Sequence, residues 1–336
     1  MPSLVKIAVS LLPVFVFLAG LVYLDSYQLV PFRRVLVTIA IGCLVAIVGL
    51  FSFDLFIALF NLQPPTYSRY VAPVIEESAK ALYVIFLLRT KRIGFMVDAA
   101  ILGFAVGAGF ALLENIDYLR SVSTDNPVVW IIRGFGTAVM HGGTTAIFAV
   151  ASKSMGDEHT SQAVRFLVPG FAIAVAIHSF FNHFFITPLE TTLAIVVVLP
   201  TVMFLVFRQS ERSTREWLGV GFDTDADLLN MIVSGNISKT KVGEYLAALQ
   251  HRMRAEVVVD MLCYMRIYLE LSIQAKGILL MREAGFDVPM DPHVGEKLDE
   301  LKFLERSIGK TGKRALVPLL RLSDRDLWQL RLLVTK

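Results

Sequence analysis

Seven mainly apolar stretches, each about long enough to cross a bilayer, crowd into the first 207 of the 336 residues. A spanning helix needs about 20 such residues, and the stretches run at about 4–24, 35–60, 70–88, 95–120, 128–151, 164–187 and 189–207. No other feature limits the fold as much. In hydrocarbon every backbone N–H and C=O must be paired internally, so such stretches become helices that pack on one another. Charge marks where this regime ends: residues 1–207 hold 12 Lys+Arg and 11 Asp+Glu, whereas residues 208–336 hold 20 and 18. The expected fold is therefore all-α, a polytopic membrane bundle of about seven transmembrane helices over 1–207, followed by a soluble helical domain over 208–336. The first stretch reads as an uncleaved helix, because Lys6 is its only early charge and no small-x-small site follows residues 21–24.

Lys and Arg alternate between the short connections. Arg33 and Arg34, then Arg89, Lys91 and Arg92, then Lys153 and Arg165, then Arg208, Arg212 and Arg215 mark one side, while the intervening loops carry only Arg69. The positive-inside rule then puts the N-terminus outside and residues 208–336 in the cytoplasm. A net charge of +3 without a basic cluster among aromatics argues against a nucleic-acid partner. Cys43 and Cys263 fall in different parts of the chain and support neither a disulfide framework nor a thiolate metal site.

Four of the stretches carry groups that hydrocarbon penalises. Glu76, Glu77 and Lys80 lie in the third; Glu114 and Asn115 in the fourth; Arg133 and His141 in the fifth; His178, Asn182 and His183 in the sixth. Each charge at mid-membrane costs about 2.5–3.5 kcal/mol even on a lenient scale, so such groups are expected to meet inside the bundle. Glu76 and Glu77 each share a helix face with Lys80, as do Phe110 with Glu114 and His178 with Asn182. At about 1.5 Å per residue, Glu76, Glu77, Glu114, His141 and His178 lie in the outer half of the bilayer or near its middle. A desolvated carboxylate can take a proton from water. Paired histidines can hold a metal or donate to an oxyanion.

Plainer readings exist for each group taken alone. Glu76, Glu77 and Lys80 can form a structural ion pair, Glu114-Asn115 a polar helix end, His141 a packing histidine and His178-Asn182 an interhelical hydrogen bond. Arg133 and His183 read as structural, Asp98 and Asp117 as interfacial, and the glycines at 103, 107 and 109 as packing positions.

Taken together, Glu-Glu-x-x-Lys (Glu76, Glu77, Lys80), Phe-x-x-x-Glu-Asn (Phe110, Glu114, Asn115), a helix-borne His141 and His-x-x-x-Asn (His178, Asn182) resemble the PrsW family of intramembrane proteases, distant relatives of the CAAX- and bacteriocin-processing membrane proteases. The resemblance covers roughly residues 65–190. It implies a multi-pass plasma-membrane enzyme that cuts membrane-anchored proteins near the outer face, with an anti-sigma factor as the kind of substrate. It also implies that Glu76 or Glu77 activates water. Glu114, His141 and His178 would be metal ligands (a divalent ion such as zinc) or groups that position water and oxyanion. Asn182 would assist His178, and Lys80 would neutralise the glutamates. The rivals are an ion or solute transporter, a silent receptor or scaffold signalling through residues 208–336, and a prenyl-protein protease cutting near the cytoplasmic face.

Residues 208–336 suggest helices at about 224–234, 238–251, 253–284, 293–308 and 323–334, with Val257, Met261, Tyr264, Tyr268 and Leu271 as an apolar stripe. Asp223, Asp225 and Asp227 fail as a calcium loop, since Leu228 and Ser234 stand where Gly and Glu are needed; they read as the capped start of a helix. Lys310–Lys313 reads as a loop. This part is expected to be regulatory or to dock a cytoplasmic partner.

Overall fold

The computed structural model describes residues 3–158, 164–286, 288, 291–320, 328–330 and 332–333. Among these every regular element is helical. The chain divides into two compact units, Met1–Glu211 and Arg212–Lys336.

The first unit contains α1 (Ser3–Tyr23), α2 (Phe32–Phe60), α3 (Ala72–Arg89), α4 (Met96–Ser121), α5 (Ala138–Glu158), α6 (Val168–His183) and the first part of α7 (Pro188–Val233). Five segments are long and apolar enough to cross a membrane: Leu4–Tyr23, Phe32–Phe60, Met96–Ser121, Val164–His183 and Pro188–Val233. The expectation of seven exceeds this because α3 and α5 hold the polar groups: Glu76, Glu77, Lys80 and Arg89 on one, His141, Thr144, Thr145 and Lys153 on the other.

Helix α4 is the axis of this unit. Its residues 97–111 are all buried. It packs on α5 along one side and α2 along the other. Glycine makes both approaches close. A Cβ on Gly107 would lie 2.1 Å from the His141 carbonyl oxygen, and one on Gly109 would lie 2.0 Å from that of Ile39. Small residues at such crossings let helices meet backbone to backbone, and here the contact carries His141 to the centre of the unit. Asp98, expected at an interface, is fully buried; its Oδ2 accepts the Gly94 N–H at 2.8 Å and so closes the first turn of α4.

Two π-helical segments interrupt the regular helices. Tyr67–Val71 precedes α3, and Ile132–Thr137 separates the short helix Pro127–Ile131 from α5. Such segments arise where an extra residue is accommodated in a turn, and they often lie at functional sites.

The second unit contains the end of α7, α8 (Lys241–Leu249), α9 (Ala255–Glu283) and α10 (Val294–Leu320). Met261, Tyr264, Tyr268 and Leu271 are buried where α9 packs on α10, while Val257 is only half-buried. Two expectations change here. Asp223–Asp227 does not start a helix but lies inside α7, where Asp225 meets Lys276 at 2.6 Å. A buried cation thus supplies what a capped terminus would have supplied. Lys310–Lys313 is helical. The break in α10 is one residue earlier, at Gly309, whose φ of 64° suits a residue without Cβ. Most of the expected helix at 323–334 lies outside the described residues.

Candidate active site and metal centre

Residues on α3, α4, α5 and α6 converge at the middle of the first unit. Glu77 and Lys80 form its buried base: Lys80 Nζ donates to Glu77 Oε1 at 2.6 Å, and their side chains are 0% and 2% exposed. The same oxygen accepts from Thr144 Oγ1 at 3.1 Å and faces His178 Nδ1 at 2.9 Å. Lys80 also reaches His141 Nδ1 at 3.1 Å and lies 4.8 Å from the centre of the Phe110 ring.

These contacts orient both imidazoles. An ammonium only donates, so His141 Nδ1 accepts from Lys80. The proton of that ring is then on Nε2, where it meets Glu114 Oε2 at 2.9 Å. A carboxylate only accepts, so His178 Nδ1 carries a proton toward Glu77. The lone pair of His178 is therefore on Nε2, whose nearest carboxylate oxygen is Glu76 Oε2 at 3.9 Å. The two rings sit edge to face with centres 4.8 Å apart.

Of the two adjacent glutamates, Glu77 is enclosed and Glu76 lines the cavity. Its Oε2 is buried without a hydrogen-bond partner among the described residues. Ligand atoms of Glu76, His141 and His178 all lie within 4.8 Å of one another. A buried unsatisfied oxygen is costly, and a carboxylate–histidine contact such as Glu77–His178 is how proteins commonly orient a metal-binding ring. These residues fit a divalent ion. The trio differs from the expected Glu114, His141 and His178: Glu114 lies beyond His141, where it pairs with Arg133 at 3.2 Å. His141 would join the ligands through Nε2 if Lys80 passed a proton to Nδ1 while the Nε2 proton left to solvent, a proton release of the kind that metal binding entails.

Two participants carried no sequence signal strong enough to select them. Arg133, read as structural, reaches Glu114, lies over Tyr118 at 4.5 Å and donates from Nε to Asn115 Oδ1 at 2.9 Å. Its position in a membrane stretch was the one available hint. Thr144 offered none, as threonine is ordinary in such helices. His183, also read as structural, packs between Tyr70 and Phe185.

The expected supporting residues act on the backbone. Asn115 Nδ2 donates to Ser10 O at 2.8 Å and to Arg133 O at 3.3 Å, tying α4 to α1 and to the second π segment. Asn182 is not bonded to His178. It donates to Ser68 O at 2.8 Å, while Ser179 donates to Arg69 O at 2.7 Å. Two side chains of α6 thus hold consecutive carbonyls of the π segment from which α3 starts, and so fix where Glu76 and Glu77 stand relative to His178.

A cavity of about 850 Å³ opens over this cluster, lined among others by Glu76, Glu114, Arg133, His141, His178 and Asn182. It is large enough for several residues of an extended chain beside a water. The arrangement offers an unpartnered carboxylate, a histidine lone pair, a second carboxylate and a guanidinium at one wall, which are the elements of water-dependent acyl cleavage.

A family model described as PrsW family intramembrane metalloprotease matches residues 30–207, a little over half of the chain. No curated protein and no solved structure matches it.

Proposed function

The chain belongs to the PrsW family of intramembrane metalloproteases, multi-pass membrane peptide hydrolases that act on membrane proteins, and from that premise we propose that the cluster around Glu76 and His178 is its catalytic centre. The observation that supports this most is a Glu76 oxygen and a His178 Nε2, both without a hydrogen-bond partner among the described residues, side by side at the wall of one cavity. Glu76, His141 and His178 would hold the ion, with zinc the ion that suits a carboxylate and two imidazoles. When bound, it supplies Lewis acidity, polarising the scissile carbonyl and making water acidic enough to attack near neutral pH.

The protein's own groups do the rest. Glu114 accepts the proton of the attacking water, as the cavity carboxylate outside the ligand trio that touches His141. It returns that proton to the amine nitrogen as the C–N bond breaks. Arg133, on the same wall, steadies the negative charge that grows on the carbonyl oxygen. Glu77, Lys80 and Thr144 do not meet the substrate; Glu77 holds His178 with its Nε2 lone pair free, Thr144 braces Glu77, and Lys80 is placed to exchange a proton with His141 Nδ1. Asn182, Ser179 and Asn115 position the backbone on which these groups stand.

The Lys/Arg pattern supports an N-terminus outside the membrane and a cytoplasmic part from residue 208 onward; the family resemblance suggests the plasma membrane, and the near-balanced charge of residues 208–336 suits a regulatory or partner-docking role. On that topology the cavity faces the outer half of the bilayer, suiting a membrane-anchored, anti-sigma-factor-like substrate cut near the outer face.

The test compares new protein ends in membranes carrying equal amounts of wild type, Glu76→Gln or His178→Ala. One or a few membrane proteins should lose their cleaved form in both variants. Identical ends in all three membranes would sink the assignment.

A further inference from the structure

The cavity over the catalytic cluster is strongly one-sided in charge. Asp54 and Asp117 line it together with Glu76 and Glu114, and Arg133 is the lone Lys or Arg among its described lining residues. That guanidinium is already paired with Glu114. Asp54 and Asp117 are exposed, and neither side chain has an ion-pair partner among the described residues. Asp54 is the sole charged residue of α2 beyond its first turn, in the run Phe53-Asp54-Leu55-Phe56. A carboxylate in such surroundings is expensive and usually functional.

His178, 2% exposed, lines the same space, and its Nε2 has no hydrogen-bond partner among the described residues; beside it Glu76 Oε2 is buried and likewise unpartnered among them.

Position along the helices adds a direction. The cavity is lined by the later parts of α2, α4 and α6 and by the start of α3. The Lys/Arg residues at 33–34 and 89–92 lie at the opposite helix ends, and Arg208, Arg212 and Arg215 lie along α7 well beyond its cavity-lining start at Pro188. Arg69 and Arg120 are near the cavity end but do not line it. Membrane proteins concentrate Lys and Arg on one side, the side of those connections, and carry few on the other. A Lys or Arg next to the membrane on the cavity side is thus an uncommon mark. An anionic mouth can read it against a background of neutral and acidic segments.

Resting on the hydrolase reading above, we propose that this cavity selects membrane proteins carrying Lys or Arg beside the cut on the cavity side of the bilayer, with Asp54 and Asp117 as the residues that select them. Neither carboxylate belongs to the proposed catalytic group; Asp54 is on α2 and Asp117 a turn beyond Glu114 on α4. They would contact the substrate to one side of the scissile bond. The selection is electrostatic, so it should weaken as salt screens the exposed pair.

The experiment uses the full chain in membranes and has two arms. In the first, protein ends lost on Glu76→Gln substitution are mapped, and the charge within about ten residues of each cut is counted. An excess of Lys and Arg over Asp and Glu is expected; a neutral or acidic neighbourhood overturns the proposal. In the second, single-span reporters differ only in having Lys, Gln or Glu beyond the cavity-side end of the span. Wild type should cut the Lys reporter about tenfold better than the Gln reporter, a difference of about 1.4 kcal/mol, and Glu should be worst. With Asp54→Asn/Asp117→Asn the Lys preference should fall below about threefold. Equal cutting of the three reporters by wild type, or a preference that survives the double substitution, overturns the selection. The hydrolase reading fails separately, by a different result: wild type and Glu76→Gln yielding the same ends and the same reporter products.

Discussion

The two units of this chain each bury a lysine against a carboxylate, at the same distance and over an aromatic ring. In the membrane unit Lys80 meets Glu77 at 2.6 Å and lies 4.8 Å from a Phe110 ring centre. In the C-terminal unit Lys276 meets Asp225 at 2.6 Å and lies 5.1 Å from Trp217. What differs is where the surrounding hydrogen bonds lead. Around Asp225 they run inward: Ser272 donates to the same carboxylate, and Gln329 donates to Ser272, its own Oε1 enclosed without a partner among the described residues. Around Glu77 they open: the carboxylate takes one nitrogen of His178 and leaves the other toward a cavity beside the unsatisfied Glu76. A buried ion pair is therefore no sign of chemistry in itself. The sign is a neighbouring donor atom that folding has oriented and left without a partner at the wall of a cavity.

If that contrast is right, the largest effect belongs to the open side. Glu76→Gln and His178→Ala should each lower cleavage by roughly 10²–10⁴-fold, the range for losing a participating acid–base or ligand group, while Asp225→Asn should leave cleavage within about twofold. Quantified protein ends check both. A chelator should mimic the first result, with restoration by added zinc.

Stability comes next. Lys80→Met strands the Glu77 charge among apolar residues and should cost about 3–5 kcal/mol. Lys276→Met should cost less, because Asp225 is 17% exposed and water can reach it. Hydrogen exchange along α3 and α9 of the full chain resolves the two. Pairing each with its acid substitution sharpens the contrast: Lys80→Met/Glu77→Gln should regain stability but not cleavage, and Lys276→Met/Asp225→Asn should keep both. The clamp on the first π segment sits between these extremes. Ser179→Ala should lower cleavage by a few fold, with Ser179→Thr restoring it, since one neutral hydrogen bond is worth about 1 kcal/mol.

The smallest effect is a pH response confined to the C-terminal unit. Burial, with Glu305 nearby, pushes the Tyr264 hydroxyl up to about 12, against an ordinary value near 10. The folded chain keeps that proton where the unfolded chain has lost it. The contribution is thus intact below pH of about 10 and declines as pH rises toward about 12. Exchange rates in Ala255–Glu283 should rise over that window, and Tyr264→Phe should flatten the response.

Much of this architecture could be read from residue order alone. Apolar runs of spanning length left helices as the only way to satisfy the backbone, and polar groups that hydrocarbon rejects had to turn toward one another. Glu76, Glu77, Lys80, Glu114, His141 and His178 were found that way, and their spacing matched a family pattern. Interruptions were harder. A continuous α7 absorbs Asp223–Asp227 because Lys276, distant in sequence, stabilises Asp225. The break in α10 belongs to Gly309 rather than to the more polar residues that follow it.

By itself, then, the sequence determined that the chain is helical and which side chains cannot face lipid, because those follow from local hydrophobicity and backbone hydrogen bonding. Only the tertiary structure decided which of two adjacent glutamates meets the cavity, that Arg133 and Thr144 join the cluster, and that Asn182 holds Ser68 rather than His178. Neighbouring side chains on a helix point about 100° apart. A π segment shifts that phase again, so the direction in which a residue points is set by how the helices pack, through contacts such as Gly107 against His141.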